Sequence, residues 1–395
     1  MPIAKATRIR SEMIITNCAA CAAPLAHDAP RCVRCKTRYC NATCQHDHWR
    51  RGHKQICKRI HRGGNAEQYY ADKKYKEAVA EAVEACVDDT KGQKCYICLE
   101  AVHPRTGEGL VRGCACGDRD GVASPELGVA HVSCLAEQAK ILYAEVKEKK
   151  IGVEAKGMRF QRWSICSLCE QDYHGSVSCA LGWACWDTYL GGSEVDWARR
   201  MAITQLGNGL SAATHYEEAL SVQEAELSIE RRLGGSELDT TITQSGLART
   251  YRALGRYEDA LRLRRDVYSA TSKLLGEENI SSLIEANNYA SLLRQLNQFE
   301  EAKLILRKTI PVAQRVLGYC HEVTLKIRWQ YAQALYKDDG ATLDDLREAV
   351  DTLEDSAQSV QRVLGGAHPI TLGIEDELGR SRAALRAREK LSASA

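Results

Sequence analysis

A mostly α-helical chain is expected, in which two small zinc-built cross-brace modules precede an α-solenoid of helix-turn-helix repeats. Three observations carry that expectation. Eight candidate ligands, Cys18, Cys21, Cys32, Cys35, Cys40, Cys44, His53 and Cys57, run as C-x2-C, C-x2-C, C-x3-C and H-x3-C. They fill two tetrahedral sites with none left over. A second eight follow as Cys95-x2-Cys98, Cys114-x-Cys116, His131-x2-Cys134 and Cys166-x2-Cys169. From residue 233 onward a Leu-Gly pair recurs at Leu233–Gly234, Leu275–Gly276, Leu317–Gly318 and Leu364–Gly365, at intervals of 42, 42 and 47 residues.

Bulk properties bound the reading. A chain of 395 residues has room for two to four domains. A net charge of +2 and a pI near 7.8 give no global case for nucleic-acid binding. The charge is uneven, however, since residues 1–60 carry 12 Lys/Arg against 3 Asp/Glu. Cysteine is uneven too: 17 of 18 precede residue 186 and only Cys320 lies beyond. The opening MPIAKATRIRSEMIITN contains no apolar core of signal-peptide length. No run reaches the roughly 18–20 apolar residues of a membrane span; the stretch around Val177–Trp186 is short and interrupted. An intracellular protein is therefore expected, cytoplasmic or nuclear, not secreted and not membrane-bound. In that reducing setting dense C-x2-C pairs read as thiolate metal ligands rather than disulfides.

The stretch CQHDHWRRGHKQIC sets Cys44–Gln45, Trp49 and His53–Lys54 ahead of Cys57, and Tyr39 stands just before Cys40. In these residues the segment 18–57 resembles the MYND zinc finger. The resemblance implies interleaved sites, with Cys18, Cys21, Cys40 and Cys44 around one zinc and Cys32, Cys35, His53 and Cys57 around the other. So short a segment cannot bury enough apolar surface alone; structural zinc supplies roughly 10–16 kcal/mol of binding energy that becomes folding energy. His46 and His48, in the turn that carries Trp49, are expected to be surface or supporting groups. Seven thiolates and two Zn²⁺ sum to −3, so nearby Arg and Lys partly neutralise the clusters. A nucleic-acid surface would want aromatic interleaving or a longer basic stripe. The MYND resemblance implies binding of short, often proline-containing peptides.

The second ligand set has the C4HC3 order, in whose cross-brace the first and third pairs share one zinc and the second and fourth the other. With CYICLE, the GCACG turn, HVSCL and CSLCEQDY around it, it resembles the RING-CH finger of a class of ubiquitin ligases. The resemblance implies a structural zinc pair and a platform for a charged ubiquitin-conjugating enzyme, whose thioester is pre-organised for attack while the finger supplies no nucleophile or base. Ile97 and Leu135 match that platform. Departures from the family are definite. Residues 135–165 make a long spacer, Gln138 stands where the family has Trp, and Glu170 follows the last ligand where a cation would help hold ubiquitin. The pattern AEQAKILYAEVKEKK in that spacer has helical periodicity.

Cys86, Cys179, Cys185 and Cys320 remain. Cys86 lies in a helical linker and reads as a small buried group. Cys179 and Cys185, in VSCALGWACW, read as local packing, with a third metal site involving His174 as the alternative. His103 competes with His131 as a ligand, and the H-x2-C pairing favours His131.

In the second half, LARTYRALGRYEDAL (247–261) aligns with YASLLRQLNQFEEAK (289–303). Small Ala248 and Ala290 fit between paired helices, Ala260, Ala302 and Ala349 do so on the second helix, and Tyr257 and Phe299 cap the turns. LGGAHPITL, with LGEENISSL and LGYCHEVTL as weaker copies, resembles tetratricopeptide repeats of the 42-residue kinesin-light-chain type. About four repeats would stack into a short superhelix with a concave face, an earlier unit starting near Met201. That resemblance implies peptide capture by groove side chains. The family's paired asparagines match Asn287 and Asn288; Ser245–Gly246 and Trp329–Gln330 hold the equivalent positions. Local hydrogen bonding at a helix start is the competing reading for the asparagines.

The expected order is a tail (1–17), a MYND-type finger (18–57), a helical linker (58–94), a RING-CH-type finger (95–172), a connector (173–200) and repeats (201–390). Four Zn²⁺, two per finger, are the expected cofactors. The expected function is an interaction adaptor for peptide or protein partners, with ubiquitin-ligase activity at the second finger. A scaffold with purely structural fingers is the alternative. A methyltransferase is the remote one, since MYND fingers occur in such enzymes, but residues 58–200 hold no Gly-rich cofactor loop or Asn-His motif. The fingers, held by metal, are expected to fold without residues 201–395.

Overall fold

The computed structural model describes residues 18–21, 23, 25, 29–114, 116, 128–148, 152–364 and 369–393. It is mostly helical and divides into two compact units, one running to Gly234 and the other from Gly235 onward. None of the described helices is long and apolar enough to cross a membrane.

The first unit begins with helices α1 (Ala42–His48) and α2 (Lys54–Arg62), separated by a wide turn in which Gly52 takes φ 130°. Helix α3 (Ala66–Ala85) starts at Asn65, whose side chain accepts from the Gln68 amide at 3.0 Å. Two short antiparallel strands, β1 (Val111–Arg112) and β2 (Val129–Ala130), pair Val111 with Ala130. The long spacer of the second finger is helical, as α4 (Val132–Glu148) and α5 (Val153–Phe160), before a single tight turn at Gln161–Trp163. Helices α6 (Gly175–Tyr189), α7 (Trp197–Ala212) and α8 (Tyr216–Leu233) complete the unit.

The segment expected as a connector is in fact the centre of this unit. Every α6 residue from Val177 to Trp186 is buried, and a helix apolar all round belongs inside a core. Helix α6 packs against α3, α4 and α7. Glycines permit its closest crossing: a Cβ on Gly209 would lie 2.5 Å from the Ser178 carbonyl oxygen, and one on Gly182 would lie 3.1 Å from that of Gln205. Cys179 and Cys185 are packing groups of this core, and burial pushes the Cys179 thiol up to about 12. Cys95, Cys114 and Cys166 share one apolar cluster with Ile203, Leu206, Leu210 and Val222 of α7 and α8. The second set of candidate ligands therefore shares its core with α7 and α8. Helix α3, whose Ala66 amide donates to the Cys35 carbonyl of the first finger at 2.8 Å, is tied in as well: Arg199 donates to Glu67 at 3.1 Å, and Gln68 donates to Asp187 at 2.6 Å.

The second unit is a run of antiparallel helices: α9 (Glu237–Ala253), α10 (Tyr257–Leu275), α11 (Ile280–Gln295), α12 (Phe299–Leu317), α13 (Glu322–Tyr336), α14 (Leu343–Leu364) and α15 (Pro369–Ala393). The Leu-Gly period has a local cause. Gly276 and Gly318 follow α10 and α12 with φ of 86° and 90°, a conformation that stops a helix and suits glycine. Ser236, Asn279 and His321 then cap α9, α11 and α13 with their side chains. Ala248, Ala260, Ala290, Ala302 and Ala349 are fully buried, so the paired helices approach closely. The longer third interval is not confined to one loop. Six residues, 337–342, join α13 to α14 where three, 254–256, join α9 to α10, and α14 has 22 residues against 19 in α10 and α12.

Candidate metal centres

The C-x2-C spacing builds the same backbone knuckle three times. Cys32, Cys95 and Cys166 each accept at their carbonyl from the amide four residues on, at 2.9, 2.9 and 3.1 Å. Each also donates its own amide to the carbonyl five residues on, at 2.7, 3.0 and 2.9 Å. The residue after the second cysteine takes a left-handed conformation in every case: Lys36 at φ 64°, Leu99 at 63° and Glu170 at 59°. Such a turn points both sulfurs to one side. The Ile97 and Leu168 amides face the Cys95 and Cys166 sulfurs at 3.4 Å.

The fold gathers the sixteen candidates into four groups: Cys18, Cys21, Cys40 and Cys44; Cys32, Cys35, His53 and Cys57; Cys95, Cys98, His131 and Cys134; Cys114, Cys116, Cys166 and Cys169. Within each group all four ligand atoms lie within 4.8 Å of one another. The Sγ···Sγ separations are 3.5 Å for Cys21–Cys40, 3.8 Å for Cys32–Cys57 and 3.6 Å for Cys116–Cys166. A disulfide needs about 2.05 Å. A tetrahedron with Zn–S bonds of about 2.3 Å has edges of about 3.8 Å. The groups therefore fit a tetrahedral zinc and not a pair of disulfides.

The histidines fit as well. His53 turns Nε2 toward Cys35 Sγ at 3.3 Å; His131 turns Nδ1 toward Cys98 Sγ at 3.3 Å and Cys134 Sγ at 3.7 Å. Burial lowers both imidazoles, His53 to about 4 with His48 adding to the effect, so each is a neutral ligand at physiological pH. Local donors favour the thiolate at one cysteine of each group, Cys18, Cys32, Cys95 and Cys166. Burial and hydrogen bonds with neighbouring thiols raise Cys40, Cys44, Cys57, Cys114, Cys116 and Cys134. At Cys18 burial raises the thiol, but the Cys21 and Cys40 amides outweigh it and bring it down to about 6. At Cys166 the hydrogen bond from Cys114 overcomes burial and holds it at about 4. These residues can bind and shape a metal; nothing in the arrangement presents a free nucleophile to a substrate.

Neighbouring side chains fix the ligands. Tyr39 is fully buried, its hydroxyl 3.0 Å from His48 Nδ1, and the His48 ring stacks on His53 at 4.8 Å between centroids. His48 thus braces a ligand. In the second finger Glu108 accepts from both the amide and the hydroxyl of Ser133 at 2.7 Å, pinning the turn between His131 and Cys134. His103 stays outside the groups, accepting from the Thr106 amide at Nδ1 (3.1 Å), its ring edge-on to His131. Gly128 has φ 83°, and a Cβ there would stand 2.7 Å from Cys116 Cβ and 3.0 Å from Cys114 Sγ. Gly128→Ala is expected to weaken metal binding at the Cys114 group by about 1–3 kcal/mol, roughly ten- to hundredfold in a chelator competition, while leaving the Cys18 group unchanged.

The partner positions fall out differently from one another. Ile97 is 36% exposed, at the tip of the first knuckle. Leu135 is 4% exposed and belongs to the core beneath α4, so it offers no surface to a partner; this corrects its assignment. Leu168, 47% exposed, holds in CSLC the place that Ile97 holds in CYIC, a symmetry of the two motifs that sequence reading passed over. Ile141 on α4 is exposed too. Gln138 lies amid them, its Oε1 3.4 Å from the Tyr96 hydroxyl and 3.3 Å from that of Ser167. An open groove of about 570 Å³ runs beside this face, lined by Ile97, Pro104, Glu137, Gln138 and Ile141.

In the repeats, Asn287 and Asn288 lie in the middle of α11 and are half-buried, not at a helix start; Asn279 is the cap. The Asn287 Oδ1 is sealed from solvent with no hydrogen-bond partner among the described residues. At the equivalent positions Ser245 donates to Glu285 at 2.7 Å, and Trp329 presses on Gly373 of α15. Those two sites are occupied by the solenoid's own contacts.

Comparison with known proteins agrees with part of this picture. Residues 18–57 match the family model of the MYND finger, and residues 240–281 and 286–322 match that of the tetratricopeptide repeat. No curated protein matches the chain. Among solved structures, a substituted form of the Podosopora anserina kinesin light chain nearly identical TPR-like repeats is similar at 24% identity and TM-score 0.42. It aligns with 49% of this chain and 89% of its own. The unsubstituted form aligns at 20% identity and TM-score 0.39, over 59% and 97%. BtubC (BKLC) from P. vanneervenii aligns at 14% identity and TM-score 0.40, over 67% and 91%. With a MYND finger, further Cys/His clusters suited to zinc, and tetratricopeptide repeats, the chain is a zinc-binding protein–protein interaction adaptor.

Proposed function

We propose that the adaptor holds four Zn²⁺, two in the finger at 18–57 and two in a RING-CH-like finger at 95–172, and that the second finger engages a ubiquitin-conjugating enzyme. The repeats, with the first finger, recruit the protein to be modified. One observation carries the reading: Ile97 and Ile141 are exposed along the groove beside α4, and Leu168, at the matching position of the second knuckle, is exposed next to Ser167, whose hydroxyl reaches Gln138 of that groove. Apolar side chains held out by metal-fixed loops have no folding role and form a rigid, pre-organised contact face. Such a face would hold the enzyme's thioester in a reactive conformation, so that a substrate amine displaces the thiol and an isopeptide bond replaces the thioester.

The specific argument for a non-catalytic scaffold is Gln138, whose amide makes the centre of this face polar, together with Glu170 after the last ligand. The full-length, zinc-loaded protein, with four equivalents of metal expected by elemental analysis, separates the readings. Ubiquitin discharge from a panel of charged conjugating enzymes should accelerate, and Ile97→Ala with Leu168→Ala should lower that acceleration about tenfold or more. A folded protein that accelerates none of them is a scaffold.

A further inference from the structure

The first finger carries more positive charge than its metal chemistry accounts for. Residues 18–65 contain ten Lys and Arg and two acids, Asp28 and Asp47, a balance of +8. Seven ionised thiolates and two Zn²⁺ contribute −3, which leaves about +5 on a very small module. Arg51 pairs with Asp47, Arg38 is half-buried facing Glu67 and Glu194, and Arg59 lies over the Tyr69 ring at 6.0 Å.

Three of the remaining cations form a ridge. Helix α2 buries Cys57 and Ile60 and leaves Lys54, Lys58 and Arg62 exposed. Residues four apart share one face of a helix at a rise of about 6 Å. None of the three has an ion pair or hydrogen bond among the described residues. Like charges at this spacing repel along an isolated helix. Of the three only Arg62, in the last turn, gains from the helix dipole, and Lys54 in the first turn is opposed by it.

We propose that this ridge docks an acidic segment of a partner protein, with Asp or Glu carboxylates set against Lys54, Lys58 and Arg62. The alternatives lack their chemistry. The exposed side of α2 carries Lys54, Gln55, Lys58, Arg59, His61 and Arg62, with no apolar residue to enter a membrane surface. Trp49 is the only large aromatic exposed in this finger among the described residues, too little for a base-stacking platform. The near-neutral whole chain supplies no wider field for a phosphate backbone. The contact is independent of the ubiquitin-conjugating reading of the second finger.

The test is fluorescence anisotropy of a labelled short poly-glutamate with the full-length, zinc-loaded protein. Binding should weaken as salt rises. The combined Lys54→Glu, Lys58→Glu and Arg62→Glu variant should lose about tenfold or more, whereas Lys273→Glu, a charge reversal on α10, should lose nothing. Zinc content and helical circular dichroism establish that the triple variant is folded, and it should in turn gain affinity for poly-lysine. Unchanged poly-glutamate binding by the folded triple variant, or no binding by the wild type, would overturn the proposal. Tighter binding of an oligonucleotide than of poly-glutamate would also overturn it and place a nucleic acid on the ridge.

Discussion

A chain cut after residue 200 will fail to hold residues 95–169 folded, while one cut after Gly234 will keep them so. The first finger, with an apolar cluster of its own, should survive both cuts. The shorter cut runs through α7 and removes Ile203, Leu206, Leu210 and, from α8, Val222, all at most 3% exposed. Each such side chain contributes about 1.5–3 kcal/mol by burial, so four contribute about 6–12 kcal/mol. That rivals the roughly 5–15 kcal/mol by which a whole domain is stable. The cut also bares the α6 face that Gly209 now covers at backbone contact. Thermal unfolding and limited proteolysis of residues 1–200 and 1–234 check this. Equal melting temperatures would mean that the metal alone sustains residues 95–169.

Replacement of Cys166 by serine should be the most damaging single change in the chain. The residue is 1% exposed, its sulfur lies 3.6 Å from that of Cys116, and it stands at the start of a knuckle whose hydrogen bonds also set Glu170 and Gln171. Structural zinc sites contribute about 10–16 kcal/mol of apparent binding energy, and a hydroxyl is a far poorer ligand than a thiolate. Because Cys166 and Val177 share one cluster with Trp183 and Leu206, loss of metal should spread into the helices. At least one zinc equivalent should be lost, along with much of the helical signal of the first unit. The second unit has an apolar cluster of its own and should melt as before. Cys320→Ser, outside every ligand group, is the control and should alter neither zinc content nor melting. Full zinc retention by a folded Cys166→Ser protein would remove Cys166 from the ligand set.

Much of the site was legible because metal ligation is written in short spacings. A C-x2-C pair dictates its own turn, so Cys32–Cys35, Cys95–Cys98 and Cys166–Cys169 adopt one backbone form in three places. The repeats were legible for a similar reason: a glycine that ends a helix must recur wherever the helix ends, as at Gly276 and Gly318. Exposure was not legible. Ile97 and Leu135 both neighbour a ligand, yet one stands on a loop tip and the other on the inward face of α4. Leu168 went unnoticed although its motif repeats that of Ile97. The competing reading that put Asn287 at a helix start fails because helix boundaries depend on which residue caps, and Asn279 does so.

By itself, the sequence determined the helical class, the two ligand sets and the period of the solenoid, since each rests on interactions between residues close along the chain. Only the tertiary structure decided that residues 173–234 share one apolar cluster with Cys95, Cys114 and Cys166. Helix α6 is apolar on every side, so its pattern points nowhere. What it packs against depends on glycines at 182 and 209 meeting backbone many residues away.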